Sequence, residues 1–299
     1  MNTSVRSVSH WLACVALAVT GALACAQQQP GQEKESNSST TVLLASATAP
    51  MTTTTASPAP APPPSASGLS WTGPYVGVTF GYALATADTF VNPLPTAAQF
   101  INLAPQTLRQ SPSGLLGGAE LGYNWQRGHF VLGPEADISA AGIDGTKEVA
   151  PITQNNGTPF PGVGNHIIVN QRTDALSTVR GRLGFALGSR VLVYGTGGLA
   201  IGHVGYTANT DFRLAGNEQY IAAFSKTKTG WTGGGGFEFA IGKGLTARAE
   251  YLHYNLGSQS FTANPSIPFP PPPFPQFQVA YTWNDATANV ARFGFGFKF

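Results

Sequence analysis

The sequence predicts an all-β fold: an eight-stranded antiparallel transmembrane β-barrel with short turns at one end and four long loops at the other. Three observations carry this. Eight segments alternate apolar and polar or small residues with a period of two, the period of a strand that shows different faces to different media. Their connections alternate between very short and very long. The charged fraction is only 10%, against about 25% in ordinary soluble domains, while glycine (36 residues) and aromatics (11%) are abundant.

The first segment, 75–82, sets Val76, Val78, Phe80 and Tyr82 on one face. The second, 115–125, sets Leu115, Leu121, Tyr123 and Trp125 against Glu120 and Asn124. The third, 130–138, has Phe130, Leu132, Ala136 and Ile138 against Glu135 and Asp137. The fourth, 177–185, has Val179, Leu183 and Phe185 against Arg180 and Arg182. The fifth, 191–201, opposes Val193, Leu199 and Ile201 to Tyr194 and Thr196, and the sixth, 231–241, opposes Trp231, Phe237, Phe239 and Ile241 to Thr232 and Glu238. The seventh, 245–254, opposes Leu245, Ala247, Ala249 and Tyr251 to Arg248 and Glu250. The eighth, 290–299, holds Phe293, Phe295, Phe297 and Phe299 on one face and Arg292, Gly294, Gly296 and Lys298 on the other.

Segments 126–129, 187–190 and 242–244 are tight turns, expected on the periplasmic side. The links 83–114, 139–176, 202–230 and 255–289 are expected to be long extracellular loops. Compact soluble domains seldom carry several structureless loops above ~15 residues, whereas outer-membrane barrels do. A soluble sandwich or ligand-binding barrel would turn its apolar face inward. Here the polar face is mostly glycine with a few charges, which makes a poor solvent coat.

Residues 1–26 read as an export signal. Arg6 precedes an apolar stretch from Trp11 to Ala24, which is short for a membrane-spanning helix, and small residues follow it. Residues 27–68 form a Pro/Ser/Thr-rich tether expected to be disordered, with a proline-rich run from Pro58 to Pro64. The barrel domain is then 69–299. The two cysteines, Cys14 and Cys25, lie in or beside the signal. Cys25 is a candidate lipidation site after Ala22-Leu23-Ala24, although the usual leucine is replaced by Ala22.

The polar faces carry Glu120, Glu135, Asp137, Glu238 and Glu250 with Arg180, Arg182, Arg248, Arg292 and Lys298. An eight-stranded barrel is just wide enough for side chains to fill it. Charges placed there must pair, because an isolated buried ion costs several kcal/mol. A structural salt-bridge network is therefore expected in the lumen, in preference to an ion pathway or an acid/base cluster. No histidine has metal-ligand spacing, so no metal or cofactor is expected. The net charge of +2 gives no reason to expect nucleic acid. Ser258, Ser260, His253 and Glu250 contain the residue types of a hydrolase, but alternation puts Glu250 and His253 on opposite faces, so the chain is not expected to be an enzyme. The run from Phe269 to Pro275 has polyproline character, read as a stiff loop or a recognition segment.

Several stretches resemble the motifs of a known family: Trp71-Thr72-Gly73-Pro74-Tyr75-Val76-Gly77, the run 117–126, Thr178 to Gly184, Tyr194 to Ala200, Gly230 to Gly235, and Ala247 to Leu252. The chain is similar there to the outer-membrane β-barrel-domain family of small porin-like, opacity-type surface antigens of rhizobium-like Gram-negative bacteria. Some of its members bind haemin. The resemblance covers roughly 71–299; the tether and the proline loop at Phe269 to Phe277 depart from it. It implies a cell-outer-membrane protein that contacts the lipid bilayer and, through its loops, host or extracellular ligands. It further implies that Phe293, Phe295, Phe297 and Phe299 form a signal read by the outer-membrane assembly machinery. The expected role is structural and surface-interacting. The alternative is a narrow porin-like channel or a haemin receptor using His203 or His253.

Overall fold

The structure is a computed structural model that describes residues 70–94, 102–161, 164–212, 218–268, 273 and 275–299. The chain divides into two units, Met1–Pro63 and Pro64–Phe299. The expected export signal, Cys25, the tether and most of the proline run lie outside the described residues.

Among the described residues, eleven strands run in chain order: β1 (Gly73–Pro93), β2 (Gln106–Gln110), β3 (Ser113–Arg127), β4 (Phe130–Val149), β5 (His166–Leu187), β6 (Val191–Phe212), β7 (Glu218–Gly242), β8 (Leu245–Asn255), β9 (Gln259–Ala263), β10 (Val279–Trp283) and β11 (Thr287–Lys298). Eight of them, β1, β3 to β8 and β11, pair antiparallel in sequence order, and β11 returns to β1. The register at that closure sets Val76 beside Phe297, Val78 beside Phe295 and Phe80 beside Phe293. The apolar edge of the final strand is thus paired, which removes the aggregation hazard of an open strand.

Tight turns join β3 to β4, β5 to β6 and β7 to β8. Gly128 and Gly188 take φ of 62° and 69°, values open to glycine without the clash a Cβ would cause. Near these turns the barrel wears its apolar side chains outward. Val78 is 59% exposed, Leu183 60% and Phe237 57%.

The other end differs from expectation. The segments expected as structureless loops are largely strand. β1 continues to Pro93, β4 to Val149, β5 starts at His166, β6 runs to Phe212 and β7 starts at Glu218. Three short strands, β2, β9 and β10, add to this end by pairing with β1 or with each other. The reason is that a sheet edge leaving the membrane still has unpaired N–H and C=O groups, and continuing the ladder satisfies them.

This extension has its own apolar core. Val91, Leu108, Ile143, Ile167, Val204, Tyr206, Tyr254, Tyr281 and Trp283 are all buried in it. Leu103, Ile152 and Phe160 join them from the connections, and Phe277, at the end of the proline loop, is buried there too. The Tyr281 hydroxyl donates to Thr210 Oγ1 at 2.7 Å or to the Tyr220 carbonyl at 2.8 Å, joining β10 to β6 and β7. Tyr206 packs on Trp283 with ring centres 5.0 Å apart.

Candidate functional site: the charged interior

Alternation along each strand fixes which side chains enter the barrel. On β4, Val131, Gly133, Glu135 and Asp137 face in, while Phe130, Leu132 and Pro134 face out. On β5, Thr178, Arg180 and Arg182 face in between Val179 and Leu183. On β8, Thr246, Arg248 and Glu250 face in, and on β11 Arg292 does so between Ala291 and Phe293.

The inward charges meet in the middle of the barrel. Arg180 pairs with Glu135, with Asp137 at 3.0 Å and with Glu250 at 3.1 Å. Arg248 on β8 reaches Glu120 on β3 at 3.0 Å, Glu135 on β4 at 2.8 Å and Glu238 on β7 at 3.5 Å. Arg182 pairs with Glu238 and lies 3.9 Å from Glu135. Arg292 pairs with Glu250 and with Asp137 at 3.2 Å. None of these nine side chains is more than 5% exposed. Each guanidinium contacts more than one carboxylate, the arrangement that can offset the loss of hydration of a buried ion.

Lys298, expected in this layer, does not join it. Alternation assigns it to the inward face with Arg292, but it is the last residue of β11 and lies beyond the charged layer. Its ammonium donates to the Ser70 carbonyl at the rim. Five acids and four arginines therefore share the interior.

Two tyrosines complete the network, and reading the charges alone missed them. The Tyr75 hydroxyl donates to Glu135 Oε2 at 2.6 Å, and the Tyr194 hydroxyl donates to Glu250 Oε1 at 3.2 Å. Arg182 stacks over the Tyr194 ring at 3.7 Å, and Arg248 lies 5.2 Å from the Tyr75 ring centre. Thr178 donates to Asp137 Oδ2 at 2.6 Å. The sequence signal was the glycine opposite each tyrosine. Tyr75 is paired with Gly122, and Tyr194 with Gly184 and Gly236. A Cβ at Gly122 would overlap the Tyr75 hydroxyl, so the glycine is what lets the ring lie across the neighbouring strand.

Apolar layers lie on both sides of the charges. Towards the turns, Trp71, Val131, Ala186, Leu192 and Ala240 form a buried cluster that includes Tyr194. Towards the other end lies the core of the extension.

The other expected site residues are not brought together. His253 Nδ1 lies 2.9 Å from Asn289 Oδ1, and its ring is 5.3 Å from Trp231. His203 Nδ1 lies 3.3 Å from Thr227 Oγ1. Ser258 hydrogen-bonds Asp285 at 3.3 Å, whereas Glu250 lies inside with Arg180 and Arg292. Among the described residues, no group of three or more His, Cys, Asp or Glu could hold a metal ion. In the extension, Lys228 donates to the carbonyls of Gly257 at 2.6 Å and Ser258 at 2.8 Å. Burial first, then neighbouring Lys226, lowers the Lys228 pKa from its ordinary value.

Comparison with known proteins gives a consistent picture. The family model for the outer membrane protein β-barrel domain matches residues 41–299. The chain is 34% identical over 194 residues to a 31 kDa outer-membrane immunogenic protein of Brucella melitensis, covering 64% of this chain and 73% of that protein. It is 33% identical over 156 residues to a 22 kDa outer membrane protein of Rhizobium leguminosarum bv. viciae, covering 50% and 59%. Among solved structures, it resembles the outer membrane protease OmpT of Escherichia coli with TM-score 0.45 and 7% identity, over 76% of this chain and 97% of that one. OprG of Pseudomonas aeruginosa gives TM-score 0.44 and 10% identity over 76% and 97%. The chain belongs to the outer membrane protein β-barrel domain family, and it is a protein of the cell outer membrane.

Proposed function

We propose that the protein is a sealed membrane anchor that displays an extracellular β-structured surface, and that it conducts neither ions nor haemin. The observation that carries this reading is the charged layer. Nine side chains from six strands meet across the interior, none more than 5% exposed. An ion crossing the barrel would have to break several of these pairs at once, at a cost of several kcal/mol each. The apolar layers on either side add a second barrier to water.

The extension is the part in contact with the medium outside the cell, and it supplies the surface for host or extracellular ligands. The Brucella relatives named as immunogenic outer-membrane proteins favour such exposure by analogy. The outward phenylalanines Phe293, Phe295 and Phe297, with Phe299, meet the lipid bilayer and serve as the signal for the assembly machinery. The reading is non-enzymatic. It is supported by the separation of Glu250, inside the barrel, from His253, which packs on Trp231.

Planar-bilayer recording of the refolded protein tests the proposal. Silence at moderate salt is expected, and steady unitary openings would overturn it.

A further inference from the structure

The two ends of the barrel differ in charge. At the extension, acids and bases are mixed: Asp88 with Arg109 at 4.0 Å, Arg172 with Asp174 at 2.5 Å, and Asp144, Lys147 and Glu148 along β4. At the periplasmic end, a Lys or Arg stands at every tight turn: Arg127 at the end of β3, Arg190 before β6 and Lys243 before β8. Lys298 stands at the same rim, hydrogen-bonded to the Ser70 carbonyl. No aspartate or glutamate lies in 70–75, 126–130, 187–191, 242–245 or 297–299. Arg127, Arg190 and Lys243 are exposed, and no ion pair is recorded for them among the described residues.

These cations stand beside lipid-facing aromatics. Arg127 lies between Trp125, 54% exposed, and Phe130, 64% exposed, and Lys298 lies between Phe297 and Phe299. Aromatics of this kind settle at the level of the headgroups. A shallow cleft of about 210 Å³ opens at the same rim, lined by Trp71, Ala240, Leu245, Lys298 and Phe299 among others. Its lining is mostly apolar with one ammonium at the edge, a shape and chemistry suited to an anionic amphiphile.

We infer that the periplasmic rim is a collar for anionic phospholipid headgroups of the inner leaflet, with its best-formed seat in the cleft beside Lys298. The cations are fixed to the turns, at the height of the aromatics, and a lipid phosphate is the anion that this height supplies. Polybasic surfaces next to anionic leaflets gain attraction with each added cation.

The test is native mass spectrometry of the full chain extracted from bilayers holding equal amounts of acyl-matched phosphatidylglycerol and phosphatidylcholine. Phosphatidylglycerol should be retained over phosphatidylcholine by roughly fivefold or more at low salt. The variant Arg127→Gln/Arg190→Gln/Lys243→Gln/Lys298→Gln should bring the two lipids close to parity. The charge-keeping variant Arg127→Lys/Arg190→Lys should hold the excess. A heat-shifted band on a detergent gel shows that each variant is folded. Equal retention by the unsubstituted protein, or an excess unchanged by the glutamine substitutions, would overturn the inference. Loss of the excess in the lysine variant as well would also overturn it, because charge would then not be the cause.

Discussion

The middle of the barrel and its extracellular extension are built from the same strands with opposite interiors. On β1, Thr79 and Gly81 face inward while Phe80 and Tyr82 face lipid. Ten residues further along the same strand, Val91 is buried and Asn92 lies on the outer side. On β6 the inward Tyr194 and Thr196 give way to Val204, Tyr206 and Ala208, as the outward Val193 and Leu199 give way to Thr207 and Asn209. The inward set stays continuous along both strands, and only the medium outside changes. Where lipid solvates the outer face, the apolar residues go out and the interior is left to charge and glycine. Where water does so, the apolar residues return inside. The difference teaches that one interior is held by ion pairs and the other by apolar burial, so substitutions should affect the two by different mechanisms.

The largest expected effect lies in the charged layer. Arg180→Ala should lower unfolding stability in lipid vesicles by about 3–5 kcal/mol, because Glu135, Asp137 and Glu250 lose a shared partner while staying buried. A loss below about 1 kcal/mol in urea titrations would break the distinction. The outer faces offer the next contrast. Phe80→Arg, in the lipid band, should cost about 2–4 kcal/mol, falling in that range the closer the site is to the midplane. Thr207→Arg, on the exposed outer face of the extension, should stay within about 0.5 kcal/mol. Equal costs would mean that the extension is also embedded. Between these two falls Tyr281→Phe, which removes the hydroxyl that donates to Thr210 Oγ1 or the Tyr220 carbonyl and should cost about 1 kcal/mol. It should loosen amide-exchange protection in β6, β7 and β10 and leave the heat-shifted gel band of the barrel in place.

This comparison also explains which parts of the fold were legible in the sequence. In the lipid band the two faces contrast sharply: Phe293, Phe295 and Phe297 against Arg292, Gly294 and Gly296 leave one reading. The closure of β11 on β1 follows from that pattern and an even strand number. In the extension the contrast fades. Along β7, Tyr220, Ala222 and Phe224 face one way and Ile221, Ala223 and Ser225 the other, so period two carries little information. An extra residue near Asp174, seen as a register shift of β5 against both β4 and β6, then changes the parity partway along β5: Ile167, Val169 and Gln171 face inward on one side of it and Leu176, Thr178 and Arg180 on the other. A pattern counted from the lipid band stops at such a bulge, and the residues beyond it read as loop.

Within the site, the inward charges were legible because alternation assigns them. Lys298 was misassigned because alternation fixes a face and not a height along the barrel. Alternation places Tyr75 and Tyr194 on the polar face, but as uncharged side chains they were not counted with the ion pairs, and only the glycine paired with each marks a ring that crosses the lumen.

The central claim is that the interior charges are dehydrated and bound to one another. A double-mutant cycle on Arg180 and Glu135, with Arg180→Ala, Glu135→Ala and the pair unfolded in lipid vesicles, measures this most directly. The account predicts a coupling of about 2 kcal/mol or more. A coupling below about 0.5 kcal/mol would mean that water already reaches these groups, and it would contradict a sealed barrel.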